Sequence, residues 1–118
     1  MAGKSYRDLV AWQKAIVLVE EVYRATSQFP KLEIYSLTNQ VRRAVVSVLS
    51  NITEGQGRTT VNEFRHFLSI SYGSLYEVET YVIIAGRLHY LNQEQITCLL
   101  KLSSEVGRLI NGLRRSLQ

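Results

Sequence analysis

Apolar residues recur along this chain at alternating spacings of three and four, with no sustained strand-like alternation. Leu9, Trp12, Ile16, Val19 and Tyr23 mark a first stripe, widened by Val10, Val17, Val22 and Phe29. It predicts a helix from about Ser5 to Gln28. Pro30, the one proline, ends it, since proline lacks the amide hydrogen and disfavours helical geometry in the residue before it. A second seam, Leu37, Val41, Ala44, Val48, Asn51 and Gly55, with Ile34, Val45 and Ile52 beside it, predicts a helix from about Glu33 or Ile34 to Gln56. Gly55 and Gly57 read as its stop residues, because glycine accepts the left-handed conformation that closes a helix. The third helix opens on the capping-box pattern Thr60-Val61-Asn62-Glu63 and runs to about His89. Its seam is Val61, Phe64, Leu68, Ser71, Leu75, Val78, Val82 and Ala85. A second capping box, Asn92 with Gln95, starts the fourth, whose seam is Ile96, Leu99, Ser103, Val106, Ile110, Leu113 and Leu117.

The breaks between these segments are too short for crossovers, so consecutive helices must be antiparallel neighbours. The predicted fold is all-α, an antiparallel up-down-up-down four-helix bundle, with residues 1–118 as one domain and no repeat or linker. If the second and third helices meet near residues 58–59, facing positions have numbers that sum to roughly 117, at about 1.5 Å of rise per residue on each side. Arg42 and Arg43 then lie level with Gly73, Ser74 and Glu77, Ser47 with Ile70, and Asn51 with His66. The small Gly73 and Ser74 leave room for the arginines to cross toward Glu77 or Glu79 as register-fixing salt bridges; contact with an anion or with another subunit are the alternatives. Asn51, on an apolar seam, needs a partner within the bundle or a ligand. Glu54 can pair with Arg58 four residues on, or cross to Arg65.

Composition places the chain among ordinary soluble globular proteins, with 46% hydrophobic and 20% charged residues. No apolar run is long enough to span a bilayer and the first residues lack a signal-peptide core, so a cytoplasmic location without membrane contact is expected. The single cysteine, Cys98, reads as a small core residue. Net charge is +4, a mild basic bias compatible with an anionic partner and equally with arginine–carboxylate pairing. Arg58, Arg65, Arg108, Arg114 and Arg115 are candidate exposed bases. The second and fourth helices run parallel in such a bundle, so the Arg58 and Arg114–Arg115 clusters fall at one end, as a solvated surface or as a phosphate-binding one. Glu63 and His66 have the Glu-x-x-His spacing of di-iron bundles, but His89 has Gly86 where a second motif needs glutamate, and Glu63 is explained as a cap. No metal site, cofactor, catalytic residue or enzymatic activity is expected, because no nucleophile–base–orienter set or phosphate loop is legible. Tyr72, Tyr76 and Ile83 form a stripe roughly 100° from the Leu75 face, at the bundle's edge or in an oligomer interface.

Several motifs occur in order: Leu9-Val10-Ala11-Trp12-Gln13-Lys14-Ala15, Phe29-Pro30, Leu37-Thr38-Asn39-Gln40-Val41-Arg42-Arg43-Ala44, Ser50-Asn51-Ile52, Glu54-Gly55, Glu63-Phe64, Phe67-Leu68, Gly73-Ser74-Leu75 and Glu77-Val78-Glu79. On these the chain resembles, over almost its whole length, bacterial four-helix bundle proteins related to those encoded in intervening sequences of 23S rRNA genes. Thr53 stands where that family's central motif usually has alanine. The resemblance implies a homopentamer with a central channel, and no catalytic residues transfer. More distantly it extends to the accessory variability determinants of diversity-generating retroelements, pentameric barrels that bind nucleic acid and a reverse transcriptase. The resulting expectation is a non-enzymatic, homo-oligomeric, pentameric bundle that binds RNA or DNA through its basic end. The alternative is a protein-interaction scaffold or accessory subunit without nucleic-acid contact. On this reading Arg42, Arg43 and Asn51 hold the bundle in register, and Arg58 is the better candidate for meeting a partner.

Overall fold

The boundaries of the first helix follow from Leu9. In the computed structural model, which describes residues 5–117, Leu9 is extended (φ −73°, ψ 127°). The capping box of Ser5 and Asp8 therefore closes a separate 3₁₀ turn, Tyr6–Asp8, and helix α1 runs Val10–Thr26, shorter at both ends than its periodicity predicts. A second 3₁₀ turn, Lys31–Glu33, follows Pro30, and an irregular Ser36 (φ −123°, ψ −108°) delays helix α2 to Leu37–Gln56. Glu33 reaches forward to accept from the Leu37 amide at 3.3 Å, satisfying one of the unpaired donors at the start of α2. Ile34 consequently lies exposed in the break rather than beside the seam.

Neither predicted stop glycine is left-handed. Gly57 caps α2 at φ −81°, and Gly55 lies buried inside the helix. Its role is close approach: a Cβ there would sit 2.9 Å from Phe64 Cδ1 and 3.0 Å from Phe67 Cβ. Helix α3, Val61–Arg87, opens with the Thr60 hydroxyl accepting from the Glu63 amide at 3.1 Å. The return half of that box goes instead to hydroxyls, since Glu63 accepts from Thr59 and Thr60. Helix α4, Gln93–Ser116, has the full reciprocal box of Asn92 and Gln95.

The helices form a ring in which α1 packs on α2 and α4, and α3 packs on α2 and α4. The short breaks make consecutive helices antiparallel, and cross-links tie neighbours together. Trp12 Nε1 donates to Thr53 and Arg42 Nε to Thr26 between α1 and α2; Lys14 pairs with Glu105 between α1 and α4; Ser103 donates to Glu79 between α3 and α4. The result is an up-down-up-down four-helix bundle, 45 × 25 × 20 Å. Leu18, Val22, Val45, Val48, Ile52, Leu68, Leu75, Val78, Val106 and Ile110 fill its centre. The α1 stripe is rotated from the predicted one: Ala11, Ala15, Leu18, Val22 and Thr26 are buried and Tyr23 is exposed. Among the described residues no helix is long and apolar enough to cross a membrane.

Candidate nucleic-acid interface

Because α2 and α4 run parallel, the start of α3 and the end of α4 share one end of the bundle. There Arg65, Asn111, Arg114 and Arg115 line a cleft of about 170 Å³, with no carboxylate in its wall among the described residues. Arg114 donates to Asn111 Oδ1 at 3.1 Å, so one guanidinium is held in place, while Arg115 is exposed to solvent. Both lie in the last turn of α4, where the helix dipole favours cations.

The other two predicted bases stand differently. Arg58 donates to Glu54 Oε1 at 2.7 Å and its guanidinium lies 4.6 Å from the centroid of the Phe67 ring. Its charge is already matched, which makes it a poorer partner-binding group than the sequence implies. Arg108 stands outside the cleft and donates to Ser104 Oγ at 3.0 Å.

Arg42 and Arg43 do not bridge to Glu77 or Glu79. Arg42 Nε donates to Thr26 Oγ1 at 2.8 Å, and its guanidinium stacks 4.6 Å from the Tyr23 ring centroid, so it ties α2 to α1 rather than to α3. Arg43 is exposed and makes no ion pair among the described residues. Glu79 instead accepts from Ser103 Oγ at 2.8 Å, and Glu77 is exposed. Register between α2 and α3 is held by hydroxyls. Ser71 donates to the Val48 carbonyl at 2.6 Å, and Ser47 and Ser74 share a hydrogen bond of 2.8 Å. These pairs place the facing residues a few positions later on α3 than the sequence suggests, so Ser47 meets Ser74 and not Ile70. Gly73 is exposed, with nothing within 4 Å of an added Cβ. Asn51 is satisfied within its own helix, donating to Ser47 O at 2.8 Å and to Ser47 Oγ at 3.0 Å.

The outer face of α2 carries a feature that periodicity did not reveal. A groove of about 850 Å³ runs past Tyr23, Tyr35, Asn39, Arg42, Arg43 and Ser50, again without a carboxylate. Tyr35, in the break before α2, is 91% exposed. A second hollow of about 390 Å³ shares Val46 and Ser50 with it and continues to Tyr6 and Trp12. The only sequence signal was Tyr35, which the α2 seam does not use; Ile34, read from the sequence as lying beside that seam, lines the groove instead.

On α3, the rings of Tyr72 and Tyr76 pack tilted at 59°, with 4.9 Å between centroids, and their hydroxyls share a hydrogen bond of 3.1 Å. That bond raises the Tyr76 phenol above its ordinary pKa, with the charge of Tyr72, desolvation and Glu79 adding to the effect. Tyr76 is 55% and Ile83 48% exposed, whereas Tyr72 is half-buried near Gly107 of α4. Cys98, expected in the core, is exposed. It lies one residue, about 100° of helix, from the buried Leu99. Among the described residues no group of three metal-ligating side chains is assembled.

The family model described as 23S rRNA-intervening sequence protein matches residues 7–112. Among solved structures, a protein of unknown function from the S23 ribosomal protein family of Bacteroides thetaiotaomicron is similar at a TM-score of 0.80 and 19% identity. The match covers 89% of this chain and 98% of that one. At that identity the likeness speaks to the fold. No curated protein matches.

Proposed function

We propose that this chain, which belongs to the 23S rRNA-intervening sequence protein family, is a non-enzymatic, self-assembling bundle that binds RNA or DNA phosphates in the cytoplasm through its basic end. The observation that carries this reading is the cleft of Arg65, Arg114 and Arg115, three arginines together with no carboxylate lining them among the described residues. Arginine's planar fork suits phosphate oxygens, and partial burial keeps such a contact less screened than a fully solvated one. Self-assembly, with a pentamer as the arrangement that the family resemblance implies, is supported by the exposed Tyr76 and Ile83 beside α4.

The test is fluorescence anisotropy of labelled RNA and DNA over a salt series, with wild type and an Arg65→Glu, Arg115→Glu variant. Each arginine–phosphate pair removed should flatten the salt slope by about 1, so the double variant should flatten it by about 2. Unchanged binding in the variant, or no binding by wild type at low salt, overturns the reading. The pairing of Arg58 with Glu54 favours a second reading, a protein-interaction scaffold whose arginines serve the bundle itself. That reading gains if light scattering shows an assembly and anisotropy shows no nucleic-acid binding.

A further inference from the structure

The groove on the outer face of α2 is unused by the basic end. We infer that it is a track for a single-stranded nucleic acid, with unpaired bases stacking on Tyr35 and phosphates meeting Arg43 and Arg42. This deepens the reading that the protein binds nucleic acid and rests on it, adding the form of the strand and a second contact surface.

Charge comes first. The groove walls contain two arginines and no carboxylate. Arg43 has no ion pair among the described residues, leaving its cation available to an incoming anion. Arg42 is held at 2.8 Å from Thr26 Oγ1 and lies over the Tyr23 ring, so its guanidinium is fixed before any ligand arrives. A fixed cation loses little side-chain freedom on binding.

The aromatic component is what separates a single strand from other polyanions. Tyr35 exposes 91% of its surface, an aromatic ring standing in water beside two cations. Base–aromatic stacking with flanking arginines is the arrangement by which proteins hold single strands without regard to sequence. A duplex keeps its base faces stacked within the helix and offers this ring only its backbone. An acidic peptide would use the arginines but has no flat face for Tyr35. The length also fits a polymer. From Asn39 to Ser50 the α2 face extends roughly 16 Å at 1.5 Å per residue, and the second hollow carries the path on to Tyr6 and Trp12 past Glu54, whose carboxylate is paired with Arg58. There it reaches the end of α2, the end of the bundle that holds Arg65, Arg114 and Arg115. The hollow is lined from the α1 side and α2 and the cleft from α3 and α4, so the two surfaces share one end of the bundle but not one face.

The experiment compares a short labelled oligouridine with a duplex of equal length, by anisotropy on the full chain at low salt. Its variants are Tyr35→Ala, Arg43→Ala and the pair Arg65→Glu, Arg115→Glu. Tyr35 and Arg43 are exposed, so circular dichroism should show wild-type folding for both single variants. Tyr35→Ala should weaken oligouridine binding roughly 5- to 100-fold and leave duplex binding unchanged. Arg43→Ala should flatten the single-strand salt slope by about 0.7. If both variants bind oligouridine like wild type while the Arg65, Arg115 pair abolishes binding, the track is wrong and the basic end stands. No binding of either nucleic acid by wild type removes both. An oligoglutamate peptide that binds in a Tyr35-dependent way, with no oligouridine binding, overturns the track in favour of an acidic protein segment.

Discussion

Replacing His89 by glycine should make the protein more stable. Helix α3 closes with two crossed hydrogen bonds, His89 N to Gly86 O at 3.0 Å and Tyr90 N to Ala85 O at 2.9 Å. This is the Schellman arrangement, in which the residue after the cap turns left-handed and is usually glycine. Here it is His89 at φ 64°, the one non-glycine residue with positive φ among those described. Left-handed geometry costs an L-residue about 1–2 kcal/mol through the close approach of Cβ to the following carbonyl. Glycine avoids that cost but gives back about 0.4–1 kcal/mol in the entropy of the unfolded chain. The His89 side chain is exposed, so its removal disturbs little packing. The turn itself is anchored independently, since the Tyr90 ring packs tilted against Phe29 at 5.4 Å and its hydroxyl donates to Glu33 at 2.8 Å. A net gain of about 0.5–1 kcal/mol remains, or roughly 2–4 °C in Tm for a chain of this size. Thermal melts followed by far-UV circular dichroism should order the proteins His89→Gly above wild type and His89→Val below it. A glycine variant no more stable than wild type would refute the assignment of strain to this residue.

Two glycines of similar helical setting should respond in opposite directions. Gly73→Ala meets open space and should gain about 0.5–1 kcal/mol in urea titrations from helix propensity. Gly55→Ala must displace Phe64 and Phe67 and should lose about 1–2 kcal/mol despite the same propensity gain. Equal responses would show that α2 and α3 do not approach as closely as the Gly55 contacts require. Trp12→Phe deletes the 2.9 Å bond from Nε1 to Thr53 and should cost about 1 kcal/mol, measured as a lower urea midpoint with unchanged slope. The Tyr90 phenol is raised above its ordinary pKa, chiefly by its hydrogen bond to Glu33, then by desolvation and by the Glu33 charge. A raised folded value means that the contribution is complete below the unfolded value and fades as pH climbs through the folded one. The stability advantage of wild type over Tyr90→Phe should therefore be constant below about pH 10 and shrink above it; an advantage that grows with alkalinity would contradict the bond.

The seams of α2, α3 and α4 were legible because apolar residues there occupy one side and polar residues the other. Leu37, Val41, Ala44 and Val48 are all buried, as are Leu68, Leu75, Val78 and Val82. On helix α1 most apolar residues from Trp12 through Val22 cover a broad arc opposite Gln13, Lys14, Glu20 and Glu21, so periodicity offered more than one stripe. Packing against both α2 and α4 selected the one containing the small Ala11 and Ala15, which a reading led by large side chains passes over. Cys98 shows the same weighting in reverse. Its position one step off the Leu99 seam placed it outside, and the chemical habit of cysteine argued the other way. The α2 groove takes Ile34 and Tyr35 from the irregular break before the helix, which no hydrophobic period encodes.

The arginines carry a local signal that the register estimate obscured. A shift of a few residues in pairing turns a side chain through a large part of a helical circle, at about 100° per residue, so cross-helix partners are poorly foreseen. Partners within one helix are not. Arg24 and Arg58 each have a glutamate three or four residues earlier, and each is paired with it, Arg24 with Glu21 and Arg58 with Glu54. Arg43, Arg65, Arg114 and Arg115 have no carboxylate three or four residues away in either direction, and none forms an ion pair among the described residues. On that criterion Arg58 ranks below Arg65 and Arg115 as a phosphate ligand, and Arg43 moves from a register-holding residue to one open to an anion. Among the described residues, the α4 end and the α2 groove are arginine surfaces without a lining carboxylate, built from these residues and Arg42.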